Sequence, residues 1–247
     1  MNILIKQTRM QMRLFLRRKD ELFWTLAFPV LFILLFGAIY GNSKWEGMSI
    51  RSIDYLLPGI IVMGAMVTGI MRTATGFVQE REQGIYRRLA LTPLNRTTLI
   101  GSLLLQHYLV IIVQTLLLVA IGGLAFKTHL TGDTALFWLT LSVGALCFMS
   151  IGFALTGLIK TLRSATPIIQ ITYFGLMFLG GIFFPNSLLP KWLGNAAGVL
   201  PSTQLGDALR AVVYNGVGIG DIWQKLAIMA GWIAVCLIVS IRFFRWE

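Results

Sequence analysis

The sequence predicts an all-α membrane protein with six transmembrane helices. Three observations carry that fold class. Hydrophobic residues make up 56% of the 247 and charged residues only 13%, well under the ~25% charge of ordinary soluble domains. Charge-free stretches recur at 22–40, 55–71, 97–126, 134–159, 164–190 and 226–241, and ~17–25 apolar residues suffice to cross ~30 Å of hydrocarbon. The basic residues are also sorted. With the amino terminus inside, fifteen of the 21 Lys and Arg fall in inner segments and six in outer ones, which the positive-inside rule reads as cytoplasmic termini.

The elements follow in order. Residues 1–20 are too charged for a cleavable signal peptide, and no small-residue cleavage site follows. Lys6, Arg9, Arg13 and Arg17 recur at steps of three and four and share one helical face, with Leu4 and Phe15 opposite. That pattern predicts a basic amphipathic helix at the inner membrane surface, or a plain orientation signal. Spans are expected at 22–40, 55–78, 98–126, 134–159, 165–184 and 222–242. The 55–71 run is just long enough. The 226–241 run is short and recruits Ile222 and Trp223, with Lys225 snorkelling. The third and fifth runs are over-long, so each tilts or extends beyond the hydrocarbon. Small residues four apart mark close helix contacts: Ala65 and Gly69, Ser150 and Ala154, Gly152 and Thr156.

A polar insert at 80–93, EREQGIYRRLALTP, separates the second and third spans. Gly84 permits a bend, residues 85–91 suit a short helix, and Pro93 disfavours helix at Thr92. A short helix on an inner loop fits a groove on another protein. A solvated connector is the plainer reading. Residues 185–221 hold Pro185, Pro190 and Pro201 and apolar pieces too short to span. Ser202 or Thr203 is expected to cap a helix through 205–213, and Asn215-Gly216 to end it. Asp207 and Arg210, three apart, can pair. Such charges are functional at membrane depth and of little consequence at a surface. Phe183, Phe184 and Trp192 either line an exit or anchor at the interface.

Several function classes lack their residues. The two histidines, His107 and His129, form no H-E-x-x-H, and no Cys/His cluster suits a metal. There is no G-x-S-x-G and no G-x-x-x-x-G-K-[ST], so neither a serine nucleophile nor a P-loop is expected, and catalytic and metal-binding residues are expected to be none. Cys147 and Cys236 both fall inside spans, away from disulfide chemistry. The net charge of +11 orients the chain and meets anionic lipid headgroups. No basic groove with interleaved aromatics points to nucleic acid. His107 and Gln114, seven apart, share a face of the third span. His107 is either a proton-relay residue or an interhelical hydrogen-bond partner.

Four segments together resemble the permease subunits of the ABC-type-two exporter family, which includes drug-resistance and polysaccharide exporters. They are Leu57-Pro58-Gly59; Glu80-Arg81-Glu82 with Gly84, Leu89, Thr92 and Pro93; Gly180-Gly181-Ile182-Phe183-Phe184-Pro185 with Leu189-Pro190 and Trp192; and Leu200-Pro201 with Asp207-Ala208-Leu209-Arg210. The resemblance runs through essentially the whole chain. Its order and spacing are more specific than any one motif, and Ile85 stands where many relatives have Thr.

The resemblance implies that 80–93, with Glu80, Arg81, Glu82, Gly84, Arg88, Leu89, Thr92 and Pro93, forms a coupling helix on a separate P-loop ATPase subunit. It implies that the helix bearing Arg9, Arg13 and Arg17 is a connecting helix. It places re-entrant outer helices at 185–221, with Phe183, Phe184, Pro185, Trp192, Asp207 and Arg210 at an outer gate or pathway. Two permease chains, identical or different, and two ATPases are implied, with ATP and Mg on the partner and no cofactor in this chain. The expected activity is export of a hydrophobic or amphipathic substrate (drug-like natural product, lipid or lipid-linked glycan) across the cell membrane. An ion-gradient-driven carrier or channel is the alternative, although beyond His107 the spans offer almost no titratable residue.

Overall fold

A computed structural model describes residues 3–40, 51–89, 95–128, 131–159, 161–182 and 190–243. The described residues are helical throughout, with no strand. We number the elements α1 (Ile3–Arg17), α2 (Lys19–Tyr40), α3 (Ser52–Glu82), α4 (Ile85–Leu89), α5 (Arg96–Phe126), α6 (Thr134–Leu158), α7 (Leu162–Leu179), α8 (Lys191–Ala197), α9 (Pro201–Asn215) and α10 (Ile219–Phe243). Five of them are long and apolar enough to cross a membrane: α2, α3, α5, α6 and α10. The chain is therefore a multi-pass membrane protein. The fifth expected span differs. Its described part, α7, is 18 residues long and carries Arg163, Ser164, Thr166, Gln170 and Thr172, which dilute its apolar length. Residues 183–184 of that span lie outside the described residues.

α3 is the hub. Every residue from Ser52 to Ile70 is buried, as expected for a helix apolar on all sides. α2, α5, α6, α7 and α9 pack around it, and α10 packs on α6 and α9. The outer faces of α2, α7 and α10 show Leu31, Leu35, Ile171, Phe178, Ile238 and Ile241, a lipid-facing surface. Residues Phe23–Ala27 of α2 and Val67–Arg72 of α3 wind as π-helix, each absorbing an extra residue per turn.

The small-residue pairs predicted to bring backbones together do so. A Cβ added at Gly152 of α6 would lie 2.4 Å from the Gly69 carbonyl oxygen and 3.0 Å from that of Ile70. Both obstacles are backbone and cannot rotate away. Gly152→Val therefore forces α6 from α3 at a cost of about 1–3 kcal/mol, and a lowered thermal midpoint in lipid nanodiscs checks it.

Helix ends are fixed by local chemistry. Asn95 accepts from the Thr97 N–H (3.2 Å), and Asp133 from those of Ala135 and Leu136 (2.8 and 3.3 Å), satisfying N-terminal donors. Arg51 closes the far end of α5 by donating to the carbonyls of Phe126 (3.2 Å) and Lys127 (3.1 Å). Its bond to Asp54 at 2.8 Å holds the guanidinium above its ordinary pKa. The α9 cap departs from expectation. The helix begins at Pro201 with Leu200 before it, and Ser202 Oγ donates instead to the Leu176 carbonyl (2.8 Å). Pro at the first helical position has no N–H needing a cap. The other end is as expected: Gly216, at φ 61°, terminates α9. At 15 residues and about 22 Å, α9 is too short to span.

Candidate functional site

The connections put α1, α4, the end of α3, the start of α5 and the α6–α7 junction at one end of the bundle. The α8–α9 segment and the start of α3 lie at the other. The residues singled out from sequence gather at both ends.

At the first end, the last turn of α3 is tied to its neighbours. Arg81 donates to the Thr156 carbonyl (3.1 Å) and to that of Ile159, where α6 runs out of N–H partners. Glu82 Oε1 accepts from the Leu162 N–H at 2.7 Å, the first residue of α7. A cation thus meets a helix C-terminus and an anion a helix N-terminus, each matched to the helix dipole. These side chains engage their own chain. Gly84, at φ 66°, turns the chain through a conformation L side chains rarely adopt, and α4 follows. Tyr86 folds back beneath α3 and donates to Glu80 Oε2 at 2.8 Å. Burial, then the Glu80 carboxylate, pushes its phenol pKa up, so it remains a donor. Arg88 is exposed and donates to the Gln83 carbonyl (3.0 Å). Leu89 is the last described residue of α4; Thr92 and Pro93 lie outside the described residues.

α1 lies against α5. Phe15 and Thr8 are buried, and Arg9, Arg13 and Arg17 are exposed along the opposite side, as the periodicity predicts. Thr8 Oγ1 lies 3.4 Å from the Ser102 carbonyl it donates to. Glu21 bridges Arg18 (2.5 Å) and Arg72 (3.2 Å), and the Arg72 guanidinium stands 4.2 Å above the Phe15 ring. Sequence reading missed this cluster; the lone cation ending the second apolar run was its signal. His107 Nδ1 is 3.0 Å from Thr73 Oγ1, an interhelical hydrogen bond. Gln114, on the same face, packs its amide where a Gly64 Cβ would stand.

At the opposite end, Arg210 is 8% exposed and serves three elements. It donates to the carbonyls of Tyr55 on α3 (3.2 Å), Gly181 (2.9 Å) and Ile182 (3.3 Å), and to Asp207 Oδ1 (3.0 Å). Its guanidinium also lies 3.8 Å from the Tyr55 ring centroid, a cation–π contact. Tyr55 Oη donates to the Gly181 carbonyl as well (3.1 Å). Gly59 leaves room: a Cβ there would be 2.2 Å from the Ile182 oxygen. The Asp207–Arg210 pair expected from spacing is present, yet the backbone contacts are its larger part. Trp192 on α8 is 73% exposed, away from this lock. Phe183, Phe184 and Pro185 lie outside the described residues.

A multi-pass helical bundle with a tied coupling end and a locked opposite end defines a membrane transport subunit. The chain belongs to the ABC-2 family of transporter proteins, whose family model matches residues 47–242. It is similar to YvfS of Bacillus subtilis (strain 168), named as a transport permease, at 24% identity over 97% of this chain and 96% of that one. It is 24% identical to the daunorubicin resistance ABC transporter permease protein DrrB1 of Streptomyces coeruleorubidus, over 92% of this chain and 78% of that protein. ABC transporter G family member 20 of Dictyostelium discoideum is 24% identical over 82% of this chain, which spans 27% of that longer protein.

Proposed function

We propose that this chain is the permease subunit of an ATP-driven exporter, moving a hydrophobic or amphipathic substrate outward and powered by a separate P-loop ATPase. The observation that carries this reading is the anchoring of α3 to α6 and α7 through Arg81 and Glu82, directly before α4. A load applied to the 80–93 segment by a docked ATPase passes through these bonds into three helices at once. Tyr86 and Glu80 hold α4 to the end of α3, so the helix moves with its span. ATP can shift the access states only through its different affinity for them. Arg9, Arg13 and Arg17, exposed on α1, supply a second contact for the ATPase or for anionic headgroups.

In the full assembly, six passes with cytoplasmic termini, two permease chains and two ATPases form the transporter, and ATP with Mg binds on the ATPases. The Arg210 lock holds the outer end closed until the helices shift. The drug-resistance name of the Streptomyces relative supports an amphipathic drug-like cargo.

Inverted membrane vesicles containing the chain and its ATPase test this with fluorescent daunorubicin, a phospholipid and a polyprenyl-linked glycan as cargoes. Export predicts uptake of at least one that needs hydrolysable ATP and survives a protonophore. Uptake that ignores ATP and collapses with the protonophore assigns the chain to the ion-gradient carriers. No ATP-dependent uptake of any cargo, with hydrolysis intact, overturns the substrate class.

A further inference from the structure

A cavity of about 820 Å³ lies between α1, the π-helical turns of α2 and α3, α5 and α7. Its size falls in the range of pockets that enclose drug-sized molecules. Phe28, Phe32, Met63, Tyr173, Phe174 and Met177 make one part of its wall apolar. The polar part holds Thr25 from the first π turn, Arg72 from the second, and Gln106 from α5.

Each of these three carries a buried polar atom, Thr25 Oγ1, Arg72 Nη1 and Gln106 Nε2, with no hydrogen-bond partner among the described residues. Thr25 is 1% exposed and Gln106 2%. A buried group left unsatisfied carries its full desolvation cost, and three from three separate helices lining one cavity are not explained by packing. All three can donate. Both π turns border the same space, and such turns recur at functional sites.

We propose that this cavity binds an amphipathic molecule whose head presents an acceptor oxygen to Thr25, Arg72 and Gln106 and whose apolar body lies along Phe28, Phe32, Tyr173 and Met177. This deepens the exporter reading and rests on it for the ligand's amphipathic character. Glu21 already accepts from Arg72 Nη2, and Glu80 and Asp20 also border the cavity. A neutral acceptor such as a carbonyl or ester oxygen therefore suits the head better than a second full anion.

The probe is methyl dodecanoate carrying a mid-chain diazirine, photolysed with the full-length chain in nanodiscs, with the matching diazirine dodecane as control. Labelled peptides are mapped by mass spectrometry. The ester is expected to label peptides holding Phe28, Tyr173 or Met177, in competition with unlabelled ester, while the alkane labels lipid-facing positions such as Ile171 and Ile238. Thr25→Val and Gln106→Leu are each expected to cut cavity labelling about tenfold, the loss of one well-made hydrogen bond. Neither lowers the thermal midpoint, because each removes an unsatisfied buried polar group without emptying its site. Cavity labelling unchanged in both variants, or ester and alkane labelling alike, overturns the proposal. A variant that melts early is replaced by Gln106→Met, and the labelling criterion stands. Labelling is read without an ATPase. A chain that labels as expected but recovers no ATPase keeps this site and loses the exporter reading; the converse result removes the site alone.

Discussion

Arg210→Met lowers the thermal midpoint of the nanodisc-held chain by about 6–12 °C. The substitution keeps most of the side-chain length and removes the guanidinium. Three carbonyls, of Tyr55, Gly181 and Ile182, then lose a charged donor in a place water reaches poorly. Charge-assisted bonds of this kind are worth about 1.5–3 kcal/mol apiece before rearrangement, so a net loss of about 3 kcal/mol is expected. For a chain of this size each kcal/mol moves the midpoint by about 2–4 °C. Asp207, the more exposed partner, contributes little, and Asp207→Asn is expected to stay near wild type. Arg210→Lys recovers only part of the loss, because an ammonium cannot fork between acceptors on α3, α9 and the end of α7. Differential scanning fluorimetry of the four proteins gives the ranking. A methionine variant that melts with the wild type removes Arg210 from the lock.

Arg81→Ala abolishes most substrate-stimulated ATP hydrolysis, by about tenfold or more, while the chain still inserts. Arg81 supplies both donors at the end of α6; without them the Thr156 and Ile159 carbonyls lose their partner and the last turn of α3 is released. The loss belongs to force transmission, since the side chain turns inward to α6. Glu82→Ala has a smaller effect, because the Leu162 N–H it accepts from is exposed and water can replace the carboxylate. Glu82→Gln keeps an acceptor oxygen and is expected to match wild type. Coupled hydrolysis in purified complexes orders the three variants. Full stimulation in Arg81→Ala contradicts a transmitting role.

The bundle was legible wherever composition alone decides: long apolar runs without charge can only be buried in lipid or in one another. The small-residue pair Gly69 and Gly152 announced the α3–α6 contact, and the Asp207–Arg210 spacing announced its ion pair. Gly84 announced the turn before α4. What the sequence could not display is where a long side chain ends. The acceptors of Arg210 and Arg81 are backbone carbonyls, which carry no residue signature, so a predicted partner-facing arginine proved to be an internal cap. Ser202 looked like a helix cap because caps are local, whereas its acceptor is 26 positions away. The π turns were invisible for a related reason. One added residue shifts the helical face by about 100°, but in a run apolar on all sides no polar marker registers the shift. The cavity draws on five elements, and only Arg72, a lone cation ending an apolar run, hinted at it.

Co-purification from native membranes tests the central claim most directly. The tagged chain is extracted in mild detergent and its partners identified by mass spectrometry, beside a version with residues 80–93 scrambled. The account predicts that a P-loop ATPase and a second permease chain accompany the native sequence, and that the ATPase is lost with the scrambled segment while membrane insertion persists. Recovery of the intact chain without any ATPase, under conditions that preserve other membrane complexes, contradicts it.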